Sequence, residues 1–218
     1  MNANNLPVET TKKSSKGVAL LNKVYEYALN GIPHVTESLD ALIYPYIQHS
    51  KNADEAIDKF ILQQKIKCTT TGFLTGVGGL LTLPVTLSAD LASSLYIEMR
   101  MIAGIARIRG YNVHDDQVKT AIFLCLAGNA VGDVLKQTGI QVAEKIVAKK
   151  ILPKLTRDVI TSINRKVGFR LLAKGGSKGL VRASKVVPFI GGVIGGGLNW
   201  IEVSAYAKYA KAMFSEPL

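Results

Sequence analysis

Apolar positions recur at intervals of three and four along nearly the whole chain, and no run alternates convincingly with a period of two. The pattern predicts an all-α, multi-helix bundle of about seven to nine helices, with Gly-rich apolar helical hairpins and no sheet. Gly17–Leu29 places Val18, Leu21, Tyr25 and Leu29 on one face. Asn30, Gly31 and Pro33 end that helix, and the polar residues 1–15 before it are expected to fray. Thr36 is the expected cap of a short helix through Gln48, kinked or ended by Pro45. Asn52 and Glu55 have the spacing of a capping box, opening a helix whose inner stripe is Ile57, Phe60, Ile61 and Gln64.

The pattern then changes. Cys68 to Ala89 is a run of 22 residues without a charge, long enough to reach across a bilayer. It also holds four glycines, six threonines and Pro84. Only its eight Leu, Val and Phe residues favour insertion, at about −0.3 to −0.6 kcal/mol each. Two readings stay open for it: a buried helical hairpin, or a segment that penetrates the membrane. Pro84 suits the first turn of the next helix, which should run to about Ile108 with Gly110 just past its end. Gln117–Leu135 reads as one apolar helix. Ile140–Lys150 reads as an amphipathic basic one broken by Pro153. Lys154–Lys174 is a second basic helix, with Leu155, Val159, Ile163, Val167 and Leu171 inward. A short helix over Ser177–Val187, the Gly-rich PFIGGVIGGGLNW and a final helix over Trp200–Phe214 complete the chain. Residues 1–50 are expected to form a looser N-terminal part and 51–215 the helical domain.

Charge is distributed unevenly. The net charge is +11. Lys145 to Lys185 holds twelve basic residues against Asp158 alone, so this block carries the whole excess and the remainder is neutral. Lys145, Lys149, Lys150, Arg165, Lys166, Arg170, Lys174, Lys178, Arg182 and Lys185 border aliphatic faces, the composition of helices that lie on anionic membranes. Nucleic acid is disfavoured, because Phe169 is the one aromatic in the block and stacking platforms are missing. The chain is 48% hydrophobic with mean hydropathy +0.20. Its N-terminus shows no apolar stretch behind its charges, so no signal peptide is expected. Two cysteines in apolar segments suggest no disulfide framework. The expected place is cytoplasmic, peripheral to or partly inserted in the inner face of the cell membrane.

Carboxylates in apolar helices need partners. Asp90, Ser94 and Glu98 are spaced i, i+4, i+8. Cys125, Asn129 and Asp133 repeat that spacing, and Glu202 shares a face with Tyr206. These are candidates for a polar cluster inside the bundle. The alternative is that some face solvent and others pair with Arg100, Arg107 or Lys119. A metal is not expected: no Glu-x-x-His occurs, and the three histidines lie in polar segments away from the cysteines. No nucleophile stands beside a base, and the Gly-rich runs lack the phosphate-loop pattern, so catalytic residues stay unassigned and no cofactor is expected.

The segments AIDKFILQQ, TTGFLTGVGGLLTLPVTLSADLASSLYIEMRMIAGIARIRGY, DDQVKT, KVGFRLL and VPFIGGVIGGGLN, with Ala127–Lys136, resemble the bacterial EcsC family in order over roughly residues 53–205. The long stretch from Gly72 to Tyr111 is the specific part. That family is named for its link to an operon encoding an ABC transporter. The resemblance implies an all-α domain with membrane association and brings over no catalytic residues. The leading expectation is a non-enzymatic membrane-surface protein that holds anionic lipid through residues 145–185, with an ABC transporter or another protein as partner. The alternatives are an enzyme acting on a lipid or amphiphile through buried carboxylates, and a soluble protein-interaction adaptor.

Overall fold

The computed structural model describes residues 8–69, 89–141, 146–175 and 194–217, and the side chains of 14–67, 92–141, 146–173 and 203–217. Nine helices follow one another among these residues: α1 (Val8–Asn30), α2 (Leu39–Gln48), α3 (Ala53–Thr69), α4 (Ala89–Ile108), α5 (Asp116–Cys125), α6 (Val131–Lys136), α7 (Ala148–Ile151), α8 (Arg157–Gly175) and α9 (Ile194–Met213). Single 3-10 turns at Gly128–Ala130 and Leu152–Lys154 precede α6 and follow α7. The described residues contain no strand, so the protein is all-α. The apolar run at 70–88 and the segment 176–193 lie outside the described residues, and with them the question of bilayer insertion at Cys68–Ala89.

The bundle is built around α4. From Ala92 to Ala106 every residue except Ser94 is buried, the polar Ser93, Glu98 and Arg100 among them, as expected for a central helix that is largely apolar. α1, α2, α3, α5 and α9 pack around it. Phe60 of α3 lies against Gly104, where an added Cβ would come within 2.4 Å of the ring. The end of α4 is closed by Gly110 at φ +88. Its N–H bonds the carbonyl of Arg107 and the N–H of Tyr111 bonds that of Ala106, at 3.0 and 3.1 Å. On the far side α1 packs most extensively against α8. Leu20, Val24 and Ala28 from α1 and Leu42 and Ile43 from α2 share the core with the rest.

Several local expectations hold. The Asn52 side chain accepts from the Glu55 N–H at 2.9 Å, while Glu55 turns back to the N–H of Lys51. Ile57, Phe60, Ile61 and Gln64 all point inward. So do Leu155, Ile163, Val167 and Leu171, with Val159 half-buried.

Others are corrected. α1 starts at Val8 and not near Gly17, because a helix anchored by its packed turns extends one bond per residue until something stops it. The cap of α2 is Ser38, whose hydroxyl accepts from the Ala41 N–H; Thr36 faces inward. Pro45 sits within α2, which continues to Gln48. Gln117–Leu135 is not one helix. The N–H groups of Leu126 and Ala127 tighten onto carbonyls three residues back, Gly128 takes φ +57, and the chain bends by 120° between α5 and α6. Of the predicted Ile140–Lys150 helix, residues 142–145 lie outside the described set, 140, 141, 146 and 147 are not helical, and α7 overlaps it from Ala148 to Lys150. α9 begins at Ile194, inside the glycine run, where tertiary packing overrides low helix propensity.

Candidate functional site

Among the described side chains, the predicted polar cluster divides between buried and exposed positions. Ser94 is half-buried; Glu98 is buried and engaged. Asp90 lies in the first turn of α4 and Glu202 in α9, with side chains outside the described set. The bend at Gly128 separates Cys125, which is wholly buried, from Asn129 and Asp133, which are exposed. Asn129 accepts a hydrogen bond from the Tyr209 hydroxyl. The i, i+4, i+8 spacing is therefore not a face here, because that inference needs one continuous helix. No group of three His, Cys, Asp or Glu residues among the described ones is placed to hold a metal. Burial pushes the Cys125 thiol well above the ordinary cysteine range, which makes it a small hydrophobe.

The basic block is different. Lys149, Lys150, Lys154, Arg157, Arg165 and Arg170 are exposed along α7, the turn after it and α8. Lys166 is half-buried and donates to the Gln137 side-chain carbonyl at 3.1 Å. Lys145, Lys178, Arg182, Lys185 and the side chain of Lys174 lie outside the described residues. The ion pairs of the described residues lie elsewhere: Lys59 with Glu55, Arg107 with Asp40, Arg109 with Asp54 and Lys211 with Asp58. None of them draws on α7 or α8.

Two recesses open in the described surface. The larger, about 540 Å³, lies between the Gly128 corner and the end of α9, and is mostly apolar, with Cys125, Val131, Val147, Tyr209 and Met213 in its wall. The smaller, about 300 Å³, lies between the α1–α2 connection, the end of α3 and the middle of α4. Three separate segments build it. α4 supplies Tyr96, Ile97 and Arg100; α3 supplies Gln64 and Lys67; the connection supplies Val35, Thr36 and Glu37.

Arg100 is only 4% exposed. Its Nη1 donates to the Tyr96 hydroxyl at 2.5 Å and to Thr36 Oγ1 at 3.4 Å. Its Nη2 donates to the backbone carbonyls of Glu37 and Ser38 at 2.5 and 3.2 Å. Thr36 Oγ1 also accepts from the Ile32 N–H and lies 2.7 Å from the Tyr96 hydroxyl. Burial, and then the charge of Arg100, hold the Lys67 ammonium below the usual lysine range, while Glu37 acts the other way. Gln64 is 2% exposed, and its Nε2 has no partner. The spacing of α3 marked Gln64 as inward, and Arg100 was considered only as an ion-pair partner. The signal that could have marked this site was an arginine in the middle of a largely apolar helix.

A family model described as the EcsC protein family matches residues 19–216. The chain belongs to the EcsC protein family. The match runs from within α1 to beyond α9, so the EcsC unit contains the Arg100 recess, the Gly128 corner and the basic helices together. No curated protein and no solved structure matches the chain.

Proposed function

We propose that this EcsC-family protein works without catalysis at an anionic membrane surface, on the cytoplasmic face, with α7 and α8 as the contact. The observation that supports the reading is the set of exposed cations from Lys149 to Arg170 that no carboxylate among the described residues pairs. Each basic residue close to an anionic leaflet contributes ~1 kcal/mol, so six of them suffice for reversible attachment. No described helix is by itself long and apolar enough to cross a membrane. The one apolar pair that passes by composition, α5 with Gly128–Lys136, is bent by 120° and has α5 buried in the core. The exposed cations of α7 and α8 support an electrostatic attachment. The operon link of the family supports a transporter or secretion complex as its setting.

Co-sedimentation with phosphatidylcholine vesicles, with and without phosphatidylglycerol, tests this. Binding should require the anionic lipid, fall as salt shortens the screening length, and weaken in Arg165→Glu/Arg170→Glu. Equal binding to both vesicles, or to neither, would sink the proposal. Tight binding to DNA or RNA fragments with no preference for anionic vesicles would replace it.

A further inference from the structure

The small recess holds more hydrogen-bond donors than its protein neighbours use. Thr36 and Tyr96 own one hydroxyl proton each. Their mutual contact at 2.7 Å takes one of the two. The Tyr96 oxygen already accepts from Arg100, and the Thr36 oxygen from Ile32. The second hydroxyl proton has no acceptor among the described residues, and both oxygens belong to residues that line the recess. Gln64 adds a buried amide nitrogen without a partner. An unmet buried donor costs about 1–3 kcal/mol, so a fold that retains one in a recess has reason to fill it. Lys67 adds an ammonium and Arg100 a buried guanidinium that takes part in none of the ion pairs among the described residues. Against these two cations the lining offers the single exposed carboxylate of Glu37, so the recess stays positive.

We infer that this recess is an oxyanion site that takes a phosphate group, held by Gln64, Lys67 and the Thr36–Tyr96 hydroxyl pair in the positive field of Arg100. The amide and ammonium come from α3 and the hydroxyls from the α1–α2 connection and α4, so three segments bring donors to one recess. That arrangement suits a tetrahedral group with several oxygens better than a flat carboxylate with two. Arg100 acts through its charge, because its Nη protons already hold the wall together. The phosphate comes either from a lipid headgroup or from a free phosphate. The site uses no residue of α7 or α8 and does not depend on the membrane reading.

Calorimetric titration of the full chain tests it, with inorganic phosphate and with short-chain phosphatidic acid below its micellar concentration. Gln64→Leu and Lys67→Met should each weaken binding at least about tenfold, equivalent to ~1.4 kcal/mol. Each should also leave the melting temperature unchanged or raised, because an unmet donor or a desolvated charge has been removed. A merely structural role would move stability the other way. Tighter binding of the lipid assigns the headgroup as the source, and equal binding assigns free phosphate. No saturable binding of either probe, or binding unaltered in both variants, overturns the inference.

Discussion

Gly17 and Gly168 meet backbone to backbone: a Cβ on Gly17 would lie 2.4 Å from the carbonyl carbon of Gly168, and a Cβ on Gly168 would lie 2.6 Å from that of Gly17. This contact sets the separation of α1 and α8. Alanine in a helix normally gains up to ~1 kcal/mol over glycine. Here the side chain has only backbone to displace, so Gly168→Ala should destabilise by about 1–3 kcal/mol. Gly132 of α6 has nothing within 4 Å of its would-be Cβ, and Gly132→Ala should be neutral or stabilising. Urea unfolding of the two variants checks the contrast.

Arg100 ties α4 to the α1–α2 connection through three acceptors there, Thr36 Oγ1 and the carbonyls of Glu37 and Ser38. Arg100→Met keeps most of the volume and removes every donor. The carbonyls of Glu37 and Ser38 then lose their partner in a half-buried site. The expected loss is roughly 3 kcal/mol, read from chemical denaturation. Proteolysis should cut first within residues 31–38, which the arginine no longer secures.

Lys67 makes the free protein's stability depend on pH in a defined direction. Its folded pKa is lowered, chiefly by burial, so the unfolded chain holds that proton more firmly. Stability therefore rises with pH between the lowered folded value and the ordinary lysine value, and the unfavourable contribution is fully present below that window. Tyr25, whose hydroxyl burial pushes well above the usual tyrosine range, acts oppositely at high pH. The difference in melting temperature between wild type and Lys67→Met isolates the lysine. It should favour the variant near neutral pH and shrink as the medium becomes alkaline.

Cys125 should resist thiol reagents while the protein is folded. In a Cys68→Ala background, its labelling should follow the opening of the α5 region and rise to that of a free thiol in denaturant. Rapid labelling under native conditions would contradict its wholly buried placement.

The helical periodicity was enough to read the class, the inward stripes of α3 and α8, the Asn52–Glu55 cap and the Gly110 stop, because each depends on neighbours within a turn or two. The corner after Cys125 was not legible. Residues 121–128 are apolar without a break, and nothing in periodicity says that Gly128 will take a left-handed conformation. The Cys125–Asn129–Asp133 spacing was lost with it, since Asn129 and Asp133 were placed by extending α5 through a break. The Arg100 recess was half legible. Gln64 could be placed inward, but its missing partner depends on Thr36, Tyr96 and Lys67, which converge only when three segments pack.

α9 packs on α3, α4 and α5, and the residues after it reach back to the corner that follows α4: the rings of Tyr111 and Phe214 lie 5.1 Å apart edge to face, and the Tyr111 hydroxyl donates to the Glu216 carbonyl. During synthesis these partners are separated by the time needed to make most of the domain. Until Phe214 has left the ribosome, α3 and α4 keep an uncovered apolar flank. Chains truncated before Phe214 leave that flank exposed and should aggregate before they can fold.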